Sequence, residues 1–256
     1  YPQNTHRWLE NRTVHLHIHI RKGHRGDVGR FCRIITNQAV GLVLGGGGAK
    51  GYAHIGVVKA LREKGIEIDF LGGTSAGAIY GVTMSFYDFD FDKIEKIVAE
   101  SVRAKLTKND LTLPMVSILS GQKLTRFVKY MFGNYLLEDI WVNSYCVSTN
   151  FSKASMDVHH RGSLWRKLSA SMAIPGVFPP IVIDKYLHVD GAVMSTVLGG
   201  DCYNYGLVAS GHLDLVIEAT KAFRDEGMDY DAIDEQVAWA LNSMAIALRA
   251  SGRAEE

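Results

Sequence analysis

Twice between Ala39 and Tyr87 the chain runs a largely apolar, strand-like stretch into a cluster of glycines and then into helical spacing. Ala39-Val40-Gly41-Leu42-Val43-Leu44 meets Gly45 to Gly48, after which Ala53, Ile55, Val58 and Leu61 recur on one helix face that closes at Gly65. Ile66 to Leu71 then meets a turn at Gly72 to Gly77, and a second helix is expected from Ala78. Continuous apolar runs are the pattern of strands buried on both faces, and strands separated by helices return in parallel through crossovers. That rhythm predicts an α/β fold, a three-layer α/β/α sandwich with a mainly parallel central sheet. Phe70 to Tyr87 carries no charge and is long enough to raise the question of a membrane span, but Gly72, Gly73, Gly77 and Gly81 suit a strand, turn and helix.

Downstream, Phe91, Ile94, Ile97 and Val98, then Leu124, Phe127, Val128 and Met131, mark two cover helices. Trp141 to Thr149 and Pro180 to Val189 read as strands flanking a helix at Ser163 to Met172, and a late helix is expected near Asp231 to Arg249. Residues 1–38 form a lead-in segment, in which Val14, Leu16, Ile18 and Ile20 alternate with His15, His17 and His19 and predict a short strand. Residues 39–256 make one catalytic-sized domain. The three histidines lack a carboxylate partner, so neither metal nor cofactor is expected. With 28 Lys+Arg against 27 Asp+Glu there is no global field to attract nucleic acid. Cys32, Cys146 and Cys202 fit neither a disulfide framework nor a zinc knuckle, which points to a reducing compartment. The chain opens on Tyr1 without a secretory signal, so a piece of a longer polypeptide with domains upstream is expected.

Gly73-Thr74-Ser75-Ala76-Gly77 is a G-x-S-x-G set between a predicted strand and a predicted helix. A nucleophilic serine needs that setting: a sharp turn, glycines where Cβ atoms would clash, and a helix N-terminus to favour developing negative charge. Gly45-Gly46-Gly47-Gly48-Ala49-Lys50-Gly51 supplies a second bare loop. Its amides can hold an oxyanion, with Gly46, Gly47 and Gly48 as donors; Lys50 can orient the loop or meet a lipid phosphate. The same glycines also satisfy a dinucleotide fingerprint, Gly46-x-Gly48-x-x-Gly51, with Asp69 as the ribose acid, so a dinucleotide- or phosphate-binding module is a rival reading. The phosphate-binding P-loop fits less well, because Gly51 stands where a Ser or Thr belongs. The base for Ser75 is expected at a sheet edge: Asp190, between an apolar strand and Gly191, is the first candidate and His188 the alternative. His54 is expected to pack against the sheet.

In order and spacing, Val43 to Gly51, Gly73 to Gly77, Ser171-Met172-Ala173-Ile174-Pro175-Gly176-Val177-Phe178-Pro179-Pro180 and Asp190-Gly191-Ala192 resemble the patatin-like phospholipases, and within them the neuropathy target esterase type. The resemblance runs from about Asp27 to Met194. It implies a patatin-like fold and a Ser/Asp dyad without histidine. Ser75 would attack a phospholipid or lysophospholipid ester, Asp190 would act as base, and the glycine loop would be the oxyanion hole, with no metal. It also implies multidomain relatives and a peripheral place in the cytoplasm or on the cytoplasmic face of a membrane. A patatin domain that binds lipid without catalysis is the remaining alternative. After Ala192 the chain departs from the family pattern, with Met194-Ser195-Thr196-Val197 where an Asn-Asn-Leu-Pro-like turn is usual. Arg103, Lys105, Lys108, Lys123, Arg126 and Lys129 form a basic region whose reading is a solvated face or contact with lipid headgroups.

Overall fold

A computed structural model describes residues 1–193 and the backbone of 215–217. A single mixed sheet carries β1 (Gly41–Leu44), β2 (Phe70–Thr74), β3 (Asn143–Asn150), β4 (Ser155–His159), β5 (Ile181–Ile183), β6 (Tyr186–Asp190) and β7 (Leu215–Ile217). Its order is β5-β6-β3-β2-β1-β7, with β4 pairing β3 off that path. The core strands β7, β1, β2 and β3 are parallel, whereas β4, β5 and β6 join in antiparallel pairs. Helices complete the three-layer sandwich: α1 (Thr5–Leu9), α2 (Arg25–Ile35), α3 (Ala53–Glu63), α4 (Ala76–Phe86), α5 (Phe91–Arg103), α6 (Gln122–Phe132) and α7 (Leu164–Ser171).

Two apolar clusters hold the layers. Leu42, Leu44 and Leu71 pack with Val58 and Leu61 of α3 and Ile94 of α5. Cys146 of β3 packs with Val128 and Phe132 of α6 and Leu164 and Leu168 of α7. Helix α4 feeds both, through Met84 on one side and Ala78, Val82 and Phe86 on the other. Its eleven residues carry no charge, as expected of a helix buried over most of its surface.

The register of β3 is what builds the site. Along one edge, Asn143 to Val147 pair with β2 and Ser148 to Asn150 pair with β6; Cys146 to Asn150 also pair with β4. A strand has only two edges, so β6 occupies the edge that β2 vacates. The carboxyl ends of β2 and β6 therefore point at one another, Thr74 opposite Val147 and Asp190 opposite Ser148. Asp190 reaches the sheet's functional edge from the far side, on an antiparallel strand, and not as the end of another parallel one.

Several expectations need correction. Val14 to Ile20 form no strand; the segment hangs from the Asn143 side chain, which donates to the His17 carbonyl at 2.8 Å, and from the Glu138 carbonyl, which both His17 and His19 approach through Nε2 at 3.0 and 2.8 Å. The second strand begins at Phe70, because the amides of Asp69 and Phe70 first turn onto the Val40 carbonyl. Gly72 and Gly73 lie inside β2, so the turn shrinks to Ser75. Pro180 to Val189 is a hairpin, reversed at Asp184 and Lys185, both of positive φ. Met194 to Val197 and the expected late helix lie outside the described residues.

Candidate active site

Ser75 sits between β2 and α4 with φ 52° and ψ −125°, a conformation that an L-residue holds only where its surroundings over-determine it. The surroundings here are backbone. A Cβ at Gly73 or Gly77 would strike the Leu44 carbonyl oxygen, so only glycine lets β1, β2 and α4 close around the turn. The Ser75 amide donates to Ser171 Oγ at 3.0 Å, and the Ser171 hydroxyl donates to the Val147 carbonyl at 2.6 Å. Ser171 thus clamps the elbow to β3. Ser75 itself is 7% exposed, at the N-terminus of an eleven-residue helix whose dipole favours negative charge there.

Asp190 is held from three directions. Its amide donates to the Ala173 carbonyl at 2.9 Å, its carbonyl accepts from Thr149 Oγ1 at 3.1 Å, and its Oδ1 accepts from the Ala192 amide at 2.9 Å. A Cβ at Gly191 would collide with Thr74 Oγ1 and meet the Val147 carbonyl oxygen at 2.7 Å, so the bare glycine lets the chain after Asp190 cross to the end of β2. Burial raises the carboxyl's proton affinity above the ordinary carboxylate value; hydrogen bonds from Ser75 and the Ala192 amide pull it part of the way back. Oδ2 is buried without a partner of full hydrogen-bond geometry. Ser75 is thus the one side chain that bears on this carboxyl's proton affinity through a hydrogen bond.

The glycine loop lies against this pair. A Cβ at Gly46 would stand 3.3 Å from Ser75 Cβ and 3.9 Å from its Oγ, so the bare backbone passes directly beside the hydroxyl. Gly47 is extended, Gly48 takes φ +58° and opens the 3-10 helix Gly48–Tyr52. Gly51 packs on Ala76 and Tyr80, where a Cβ would come within 2.7 Å. Lys50 lies on that 3-10 helix, its amide donating to the Gly47 carbonyl at 3.2 Å. His54, fully buried on α3, lies with Nε2 3.0 Å from the Gly45 carbonyl and so fixes the loop's first residue. Burial lowers its pKa, which keeps the imidazole neutral with the proton on Nε2. A cavity of about 260 Å³ opens from Ser75 and Gly48 between α4, α5 and α6; Ile79, Tyr80, Phe127, Met131 and Ile174 give it an apolar wall.

The family described as patatin-like phospholipase matches residues 42–198, well over half of the chain. The chain belongs to the patatin-like phospholipase family. Among curated relatives, the lysophospholipase NTE1 of Kluyveromyces lactis is 37% identical over 179 residues, covering 68% of this chain and 12% of that protein. The lysophospholipases NTE1 of Debaryomyces hansenii and Saccharomyces cerevisiae are 38% and 36% identical over 183 and 180 residues, covering 69% and 68% of this chain and 12% and 10% of theirs. This patatin domain thus spans about a tenth of the length of the curated relatives it matches. A solved structure, VipD from Legionella pneumophila, is similar with a TM-score of 0.47 and 17% identity, covering 61% of this chain and 46% of that one.

Within the patatin domain, the sequence-predicted Ser75, Asp190 and glycine loop converge, and two other candidates do not. Asp69 lies before the amino end of β2, remote from the glycine loop, in a two-point ion pair with Arg33 at 2.6 and 2.9 Å; it cannot serve as a ribose acid there. His188 turns to Ser148, with Nδ1 2.9 Å from its Oγ, and not to Ser75. Sequence reasoning gave no role to Ser171; the available signal was its place at the end of an amphipathic helix, opening the Ser-Met-Ala-Ile-Pro segment.

Proposed function

We propose that this domain is a serine lipid acyl hydrolase acting on phospholipid or lysophospholipid esters. One observation carries the reading: a serine on a strained turn, beside a buried carboxyl of raised proton affinity, at the mouth of an apolar cavity. Ser75 Oγ attacks the ester carbonyl while Asp190 takes its proton. The oxyanion is held by amides of Gly46, Gly47 and Gly48 and favoured by the α4 dipole. Asp190 returns the proton to the departing alcohol oxygen, leaving an acyl-Ser75. Water then attacks the acyl group, again losing its proton to Asp190, and the fatty acid leaves as the serine hydroxyl is restored. The apolar cavity takes the acyl chain. Lys50 and Gly51 support the loop, and Gly73 and Gly77 shape the elbow.

Lysophospholipids are the favoured substrates, since the most similar relatives carry that activity in their names. A place at a membrane's cytoplasmic face suits such substrates. Among the described residues no helix is long and apolar enough to cross a bilayer. The test combines a fluorophosphonate probe, mapped by peptide sequencing, with fatty-acid release from lysophosphatidylcholine. Labelling at Ser75 and loss of both signals in Ser75→Ala are expected. Lipid binding without labelling would instead favour a non-catalytic patatin domain.

A further inference from the structure

Between α5 and α6 the chain makes a small irregular hairpin, closed by the antiparallel bridge of Leu111 with Leu119 and by the Thr112 amide donating to the Ile118 carbonyl at 3.0 Å. Its apolar side chains point outward. Leu111, Leu113, Met115, Val116 and Ile118 are between 54% and 83% exposed, a density that a domain in water does not keep on a loop tip without a use for it. Cations flank them along the chain: Arg103, Lys105 and Lys108 precede the hairpin and Lys123, Arg126 and Lys129 follow it, with Asp110 the single acid of residues 103–130. Asp110 is buried and accepts from Ser120 Oγ at 2.6 Å, so it does not offset the cations at the surface.

The hairpin is also wired to the active site. The Ile118 and Leu119 amides donate to the Gly176 and Val177 carbonyls, both at 2.9 Å. That same 173–178 segment supplies the Ala173 carbonyl that binds the Asp190 amide, and Ile174 and Phe178 that line the cavity beside Ser75. Leu106 and Thr107, just before the hairpin, line the cavity as well.

We propose that the Leu111–Leu119 hairpin is a membrane-contacting element that inserts its apolar tip into the headgroup layer of an anionic bilayer, with the flanking lysines and arginines on lipid phosphates and the cavity mouth turned to the surface. An apolar tip flanked by cations matches the layering of such a surface: hydrocarbon inside, negative charge at the headgroups. A second copy of this chain carries the same cations and would repel. The hydrolase reading gives the contact its purpose, but binding is measured without turnover, so the two stand or fall separately.

The test is co-sedimentation of the full chain with phosphatidylcholine vesicles and with phosphatidylcholine:phosphatidylserine vesicles, at low and high salt. The parent should bind the anionic vesicles at least tenfold more tightly than the neutral ones. The double variant Leu113→Asp, Met115→Asp should lose that binding at least tenfold, and Lys105→Glu should cost about fivefold. All three proteins should hydrolyse a soluble short-chain ester at the same rate, which certifies folding. Met115→Trp should gain fluorescence that brominated lipid quenches, over the parent's own tryptophans. Equal binding of parent and double variant, absence of quenching, or parent self-association that the double variant abolishes would each overturn the proposal.

Discussion

Two buried serines stand one strand apart and have opposite surroundings. Ser148, in mid-strand on β3, has the company expected of a nucleophile: its Oγ lies 2.7 Å from His159 Nε2 and 2.9 Å from His188 Nδ1, and His188 Nε2 is 3.8 Å from Asp157. Ser75 has no imidazole beside it, only the carboxyl of Asp190. Yet Ser148 is wholly enclosed on an ordinary strand, whereas Ser75 is forced to a positive φ at a helix N-terminus and faces a cavity. On the proposed reading, backbone strain, an oriented dipole and an opening mark Ser75 as the nucleophile, and the identity of the nearest partner does not.

The sharpest break of that contrast is a paired substitution. Ser75→Ala should lower ester turnover by about 10⁴-fold or more and abolish fluorophosphonate labelling. Labelling of Ser148 in the parent would erase the distinction. Asp190→Asn should cost at least about 10³-fold in rate while raising the thermal midpoint at pH 7 to 8. The sign follows from the raised affinity: the folded state holds the Asp190 proton more readily than the unfolded chain, so the ionised carboxylate subtracts stability above the ordinary carboxylate range, and a neutral amide removes that loss. For the same reason kcat/KM should fall as pH drops through a midpoint above the ordinary 3.8.

Smaller effects refine the comparison. Ser171→Ala leaves Ser75 in place but removes the clamp on its amide, and kcat should drop roughly 10- to 100-fold with KM little changed, in step with the rate of fluorophosphonate labelling. Ser148→Ala should keep turnover within a few-fold and cost about 1–2 kcal/mol in denaturant unfolding, since two imidazoles lose their shared partner. Burial lowers His159 from 6.5 to about 4, so the folded state binds its proton less readily than the unfolded chain. The stability this contributes is complete above 6.5 and is lost as pH falls from 6.5 to about 4; His159→Gln should flatten that stretch of the stability–pH curve.

The legible parts of the site share a feature. Gly73 and Gly77 lie within two residues of Ser75, and their need to be bare comes from one neighbouring strand, so a five-residue pattern carries the requirement. Asp190 was legible as a residue but not in its approach, because a parallel and an antiparallel strand end look alike in sequence. Ser171 and Ser148 were opaque in a different way: one clamps the elbow, the other sits between two imidazoles, and nothing in their local pattern separates those fates. Val14 to Ile20 shows the opposite error, since alternation without a partner strand leaves only an extended segment.

The order of apolar runs, glycines and helical faces by itself determined the α/β layering, the turn under Ser75 and the bare loop of Gly46 to Gly48, because each is a steric demand made on residues a few positions apart. Which carboxyl meets the serine was decided only when β6 took the edge of β3 that β2 leaves free, and which hydroxyl clamps it only when α7 packed on β3. Contacts between residues a hundred positions apart depend on where packed layers bring backbone into reach, and no local spacing encodes that distance.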